Sequence, residues 1–314
     1  MAENSAISWT HHTWNPWIGC AKVSPACDGC YAEAMMDKRY GRVRWGGPGA
    51  GAGTRSRTSK STWDAPFKWQ RQAEKDGTRP FVFCASLADI FDNQVPQDWR
   101  GEAFSVMRKT PNLVYLLLTK RPQLIVKLSD AAGGLPANAA LGTTVEDQDR
   151  ADINLPALKV AKIELRPLFT FGSFEPLLGP VVIPPAFMPD WIIAGGEADQ
   201  GGHQARPTHP NWMRSLRDQA AMAGKPFHLK QWGEWVPQLG SVDLPDNPEI
   251  SRYQWAEWDG EEWDFWNRPM LCDELDPDHS MIRAGRRRTG RMLDGATHDA
   301  FPHIPSISDA GEQK

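Results

Sequence analysis

The 314-residue sequence is short of cysteine, of long apolar runs and of net charge, and each shortage removes a class of protein. Five cysteines are an odd number in a chain long enough to bury its own core, which excludes a disulfide-stapled scaffold and predicts a reducing compartment. The longest strongly apolar run, LVYLLL at 113–118, is too short to cross a bilayer. The opening residues MAENSAIS lack a basic stretch followed by an apolar one, so a soluble, cytoplasmic protein is expected. A formal net charge of −4 gives no global attraction for polyanions, so any nucleic-acid contact must come from a local basic patch.

What is present is concentrated. Cys20, Cys27 and Cys30 fall within eleven residues, in the run GCAKVSPACDGCYAE, with spacing C-x6-C-x2-C. Cys84 and Cys272 stand alone, with no companion at metal-ligand spacing. Three neighbouring thiolates suit an open metal site, because structural zinc closes its coordination with four ligands whereas three protein ligands leave one position for substrate or cofactor. A disulfide and a structural zinc site, with His11 or His12 as fourth ligand, are the competing readings. The setting favours an iron–sulfur cluster: a turn rich in Gly, Pro and Asp lies between a strand-like run, TWNPWIG, and a helix-like run, YAEAMMDKRY. That places the cysteines at the end of the first strand of an α/β unit, where ligands bind in such folds.

Strand-like runs recur at 81–85, 113–118, 139–145, 165–171, 191–194 and 226–229, with helical patterns such as 97–109 and 210–223 between them. With the run 14–19 placed first, this alternation predicts a complete or partial (β/α) barrel of about six to seven parallel strands over residues 1–236. Residues 237–314 form a C-terminal extension, with a hairpin in QWAEWDGEEWDFW turning at Asp259-Gly260 and an arginine run at Arg283, Arg286, Arg287, Arg288 and Arg291. The glycine-rich insertion at about 41–60 reads as a mobile loop, either linker or substrate lid. The arginines are a candidate phosphate contact, against the plainer reading of a solvated face. Fifteen tryptophans serve core packing or base stacking, with packing the default for most.

Polar residues recur after the strands: Ser86 and Asp89, Thr119 and Lys120, Thr144 and Glu146, Ser173 and Glu175, Gly195, Gly196 and Glu197, then Lys230 and Gln231. Catalytic groups of a parallel barrel gather at this end of its strands.

The segments THHTWNPWIGC, CYAE, LLLTKRP, LGTTVED, FEPLLGP, IIAGGE, HPNWMRSLRDQ and FHLKQWGEW resemble, in order over about residues 8–237, a phage-associated three-cysteine family of unassigned function, labelled bacteriophage protein gp thirty-seven/gp sixty-eight. Its motif is similar to that of radical S-adenosylmethionine (AdoMet) enzymes, whose usual spacing is C-x3-C-x2-C with an aromatic residue before the last cysteine; here that position is Gly29, and Tyr31 is the nearest ring. The resemblance implies a [4Fe–4S] cluster on Cys20, Cys27 and Cys30, with AdoMet on the fourth iron and a 5′-deoxyadenosyl radical as oxidant. It implies cofactor contacts from Tyr31, Ser86, Asp89, Thr144, Glu146, Gly195 and Gly196, with Glu175, Glu197 and Lys230 facing the substrate. A nucleobase, nucleotide or nucleic acid is the expected substrate, and a reductant protein the expected electron donor. A non-catalytic zinc-bearing nucleic-acid-binding module is the alternative.

Overall fold

The computed structural model describes residues 2–237, 254–266 and 280–304. Seven strands lie parallel in one sheet, each beside its predecessor: β1 (His12–Thr13), β2 (Phe81–Cys84), β3 (Val114–Thr119), β4 (Ala139–Thr144), β5 (Thr170–Phe174), β6 (Trp191–Gly195) and β7 (Phe227–Gln231). β1 and β7 do not pair, so the sheet curls into a half-barrel, the partial form of the expected barrel. Five helices cross between strands or precede them: α1 (Lys60–Asp76), α2 (Gln97–Arg108), α3 (Ile125–Ala131), α4 (Gln148–Leu165) and α5 (Pro210–Met222). Local chemistry sets their ends. The Ser59 hydroxyl accepts from Thr62 N at the start of α1, and Gly77, at φ +64°, closes it in the left-handed region. At α4 the Asp147 carboxylate accepts from Arg150 N.

Every residue of β4, β5 and β6 is buried, as expected of a parallel sheet covered on both faces. Outside the sheet, Trp14, Trp63, Phe104, Tyr115 and Leu158 pack between strands and helices. Inside it, Trp9, Phe81, Phe169, Phe171 and Trp191 fill the lower half-barrel, with Phe169 and Trp191 edge to face at 6.3 Å. The upper half is left for polar strand ends.

Three expectations shift. The first strand lies at His12–Thr13 instead of 14–19, because Pro16 has no N–H to continue the ladder; Trp17–Ile18 leaves the sheet and pairs antiparallel with Ser56–Arg57. The fifth strand lies at Thr170–Phe174 and not at 165–171, because α4 runs to Leu165, Arg166 (φ +48°) ends it and Pro167 prevents its resumption. The glycine-rich insertion is a wall of the site and not a linker. Trp45 is buried there, and the backbone of Gly46 pairs with Cys20 and Lys22. A Cβ on Gly53 would stand 2.4 Å from Gly46 N and 2.5 Å from Arg44 O, so these glycines serve close approach.

The C-terminal residues form a four-stranded antiparallel sheet of β8 (Trp235–Pro237), β9 (Trp255–Trp258), β10 (Trp263–Trp266) and β11 (Ser280–Arg283), in the order β8-β11-β9-β10. The β9–β10 hairpin turns where expected, with Asp259 Oδ1 accepting from the backbone N–H of Glu261 and Glu262 and Gly260 at φ +115°. Val236, Ala256 and Met281 share one core with Leu216 and Leu229 of the α/β unit. Cys272 lies outside the described residues. All fifteen tryptophans are described and none is exposed, so packing claims them.

Candidate functional site

Cys20, Cys27 and Cys30 line one cavity of about 150 Å³ above the polar ends of β2, β3 and β4. The loop is shaped for this: Pro25–Cys27 makes a short 3-10 turn, Cys30 precedes an α-turn at Tyr31–Glu33, and Ala34–Arg39 continues as a π-helix. Phe83 and Leu118 lie across from the cysteines, while Ser86, Asp89, Lys120 and Thr144 bring polar groups in from three successive strand ends. Cys84, on the opposite face of β2 from Phe83, is fully buried in the core and does not line the cavity. Neither His11 nor His12 lines it. The His11 imidazole accepts from Phe81 N at 2.9 Å, and the His12 ring stacks on Trp69 at 4.5 Å, at the start of β1. The zinc reading therefore loses its fourth ligand, and among the described residues no group of three His, Cys, Asp or Glu closes on a single metal ion.

The electrostatics around the thiols combine burial, which opposes the thiolate, with two nearby cations, Lys120 and Arg121, that partly offset it. Burial, with the nearby Asp89 carboxylate, pushes the Cys20 thiol up to about 12, and burial also raises Cys30. Arg121 donates to Cys20 Sγ at 3.5 Å, to Asp89 Oδ2 at 2.9 Å and to Ala21 O at 2.8 Å. Burial disfavours a charge on Lys120, but the neighbouring Cys27, Glu146 and Cys30 outweigh it and hold its pKa above the usual lysine value. Its Nζ has one hydrogen bond, to Thr144 Oγ1 at 3.3 Å.

The expected cofactor residues divide into groups. Ser86, Asp89 and Thr144 line the cavity. The Asp89 carboxylate is already taken by Thr119 Oγ1 (2.8 and 2.9 Å), Phe91 N (2.9 Å), Lys120 N (3.2 Å) and Arg121. Glu146 is fully buried beside the cysteine loop: Oε1 accepts from Ala26 N at 3.4 Å, and Oε2 has no protein partner. Tyr31 turns away into a second cavity. Gly195 and Gly196 are explained by packing, since a Cβ on Gly196 would stand 1.9 Å from Trp232 O and one on Gly195 3.1 Å from Glu175 Cδ.

Of the residues expected to face substrate, Glu175, just after β5, accepts from Lys230 Nζ at 2.6 Å and from Gln231 at 3.3 Å at the end of β7, with partial solvent access. Glu197 instead belongs to a clamp that sequence reading missed. Its carboxylate receives Arg206 Nε (2.8 Å), Arg206 Nη2 (2.7 Å) and Arg206 N (2.9 Å), with His203 Nε2 at 3.1 Å. Arg206 also donates to Pro25 O at 3.1 Å, which ties the far edge of the half-barrel to the cysteine turn. A side chain at Gly29 would meet Glu197 Oε1 and His203 Cδ2 at 2.7 Å, the physical reason no ring occupies that position. Burial disfavours the Glu197 charge, but Arg206 more than restores it and its pKa is lowered.

The arginine run also divides. Arg283 pairs with Asp199 and Arg291 with Asp299, whereas Arg286, Arg287 and Arg288 are exposed, and Arg286 N donates to Glu234 just after β7.

The fold and site together define an α/β half-barrel protein with a three-cysteine pocket over its strand ends. The chain belongs to the family described as Protein of unknown function (DUF5131), which matches residues 4–302. Two solved structures are similar at low identity. One is a double mutant of spore photoproduct lyase with bound AdoMet and dinucleoside spore photoproduct, 10% identical, TM-score 0.44, covering 84% of this chain and 70% of that one. The other is a single mutant of the same lyase, 11% identical, TM-score 0.43, covering 87% and 72%. No curated protein matches the sequence. No helix among the described residues is long and apolar enough to cross a membrane.

Proposed function

We propose that this protein is a radical AdoMet enzyme of the cytoplasm that acts on a nucleobase or nucleotide, free or within a strand. The observation that carries the reading is the convergence of Cys20, Cys27 and Cys30, with no fourth cysteine or histidine among the described residues, on one cavity over three polar strand ends. This donor set fits a [4Fe–4S] cluster with one iron left open. When bound, the reduced cluster and AdoMet supply a 5′-deoxyadenosyl radical that removes hydrogen from substrate, the electron coming from a reductant protein. The fit is electrostatic as well. Thiols whose pKa burial has raised become stable thiolates when a cation is bound, and the Lys120 and Arg121 cations offset the added negative charge.

The chain's own groups then have separable tasks. Lys120, with donor capacity to spare, would hold the cofactor carboxylate, and Ser86 and Thr144 would supply neutral hydrogen bonds beside it. Glu146, fully buried beside the cysteine loop with Oε1 on Ala26 N, does not line the cavity and would act by holding that loop. Asp89 acts through Thr119 and Arg121, which it orients, so it is a positioning residue. Glu175 and Lys230 form the polar pair that remains for substrate, and the exposed Arg286, Arg287 and Arg288, after β11, are candidates for a phosphate contact. Phage association belongs to the same reading.

Anaerobic reconstitution tests it. Wild type and Cys84→Ala are expected to bind iron and sulfide in equal amounts and, when reduced, to convert AdoMet into 5′-deoxyadenosine and methionine. Cys20→Ala, Cys27→Ala and Cys30→Ala are each expected to lose the cluster. Stoichiometric zinc with no iron in protein purified without oxygen, or a need for Cys84 equal to that for the triplet, overturns the reading.

A further inference from the structure

A second cavity, of about 500 Å³, opens beside the cysteine pocket. Tyr31, Met35, Arg42, Ser56, Thr58 and Ser59 are among the residues that line it. The two cavities are back to back: Ser86 and Ala88 line the first while Leu87, between them, lines the second, and Cys30 and Tyr31 divide in the same way. Buried Ile18, Met36 and Leu87 form the apolar partition.

The surface beside this cavity is aromatic and basic. Tyr31 and Tyr40 are 45% and 51% exposed, the two large aromatic rings left open to solvent near the cysteines, where every tryptophan is covered. Arg39, Arg42 and Arg44 are exposed and form no ion pair among the described residues; Arg39 and Arg42 lie 5.3 and 5.6 Å from the Tyr40 ring. Arg57, also lining the cavity, is held by Glu102 and lies 4.0 Å over the Trp63 ring. In the cysteine pocket, by contrast, Arg121 is committed to Asp89, and Arg206 is committed to Glu197 beside it. Arg42 lines the cavity, and Arg39 and Arg44 stand exposed on the same six-residue segment with Tyr40 among them; with the exposed Tyr31 ring they are complementary to a phosphodiester strand with unstacked bases.

We infer that this cavity is the seat of a single-stranded nucleic-acid segment, one base lying against Tyr31 and the thioether of Met35, its phosphates on Arg39, Arg42 and Arg44. This rests on the radical AdoMet reading only for what a bound strand would then undergo; Tyr31 follows Cys30 in the chain but lies on the other side of the apolar partition. The binding itself does not need the cluster. The inference also corrects the expectation of stacking on indole, since the available rings are phenolic.

The experiment titrates the full chain, with and without reconstituted cluster, into fluorescein-labelled single-stranded DNA and RNA of about ten nucleotides and follows anisotropy against salt. Wild type is expected to bind with a negative log–log salt slope. Arg39→Ala, Arg42→Ala and Arg44→Ala together are expected to flatten that slope by about two, at roughly 0.7 per phosphate on a single strand. Tyr31→Ala is expected to weaken binding about fivefold to a hundredfold while Tyr31→Phe keeps it, as stacking requires. The triple arginine variant should retain wild-type iron content, which separates lost strand binding from lost folding. No oligonucleotide binding by wild type, or a slope lost only when Arg286, Arg287 and Arg288 are replaced, overturns this inference and leaves the cluster reading intact. Oligonucleotide binding by a protein that cannot hold iron has the opposite effect.

Discussion

Removing Arg206 is the sharpest test of how the cysteine loop is held. Arg206 makes two side-chain hydrogen bonds to Glu197, at 2.7 and 2.8 Å, and a third to Pro25 O at 3.1 Å. The Glu197 side chain is 4% exposed and that of Arg206 33%. In Arg206→Ala the carboxylate keeps only a backbone N–H and His203, so a nearly buried charge loses its counter-ion. Breaking a buried pair from one side costs about 3–5 kcal/mol, and the solvent access of Arg206 puts the expected loss near the lower end, about 3 kcal/mol. Glu197→Gln is milder, because the liberated guanidinium can reach water; about 1.5–2 kcal/mol is expected for the lost charge-assisted bonds. The double variant should cost less than the sum by about 1–2 kcal/mol, since it leaves no charge stranded. Urea unfolding of the four proteins measures the cycle. Alkylation of Cys27 in metal-free protein, followed by mass spectrometry, reports the loop directly and should quicken in Arg206→Ala. Additivity within about 0.5 kcal/mol, or an unchanged Cys27 alkylation rate, would refute the clamp.

Two further outcomes concern the scaffold. Burial disfavours the Asp190 charge, but Lys162 (2.5 Å), Thr170 N (3.0 Å) and Lys225 (3.0 Å) outweigh it and lower its pKa to about 2. A folded-state value below the unfolded one stabilises fully above about pH 4 and is lost as pH falls through about 2, so Asp190→Asn should cost about 2 kcal/mol at neutral pH and little at pH 2, read from urea midpoints at both. Gly196→Ala forces a Cβ against the Trp232 carbonyl and should cost at least about 2 kcal/mol, whereas Gly101→Ala, in α2 with nothing within 4 Å, should gain up to about 1 kcal/mol; thermal melts of opposite sign check the pair.

The parts of the fold legible in the sequence were those where one local signal suffices. The run LVYLLL and the start of α5 at Pro210 read correctly because apolar runs and first-turn prolines act within a few residues. The run 165–171 misled because its first residues finish a helix, and hydrophobicity alone cannot say where α4 stops. In the site, cysteine spacing was a sufficient signal for three thiols on one cavity. The partners of Glu197 were not, since Arg206, His203 and Pro25 are brought together only by tertiary structure. A weak signal existed in Gly29, where a residue without a side chain stands at the position a ring usually takes. The glycine-rich insertion misled in the same way: its composition is that of a linker, but Gly46 and Gly53 answer to backbones packed against each other.

The half-barrel has two edges that could each recruit a foreign strand, and segments near the two ends of the sequence occupy them. Ala2–Glu3 pairs along β1, while His298 O accepts from Leu229 N and Asp299 bridges to His228 along β7. Phe301 then lies 5.3 Å from Trp191 at the bottom of the half-barrel. These short pieces act as selvedges, finishing a sheet that does not close on itself. A strand edge without such cover is a template for self-association. Shortening the chain before residue 296 would therefore convert a covered edge into an adhesive one and uncover aromatic surface beside it, so aggregation is expected before loss of the cysteine pocket.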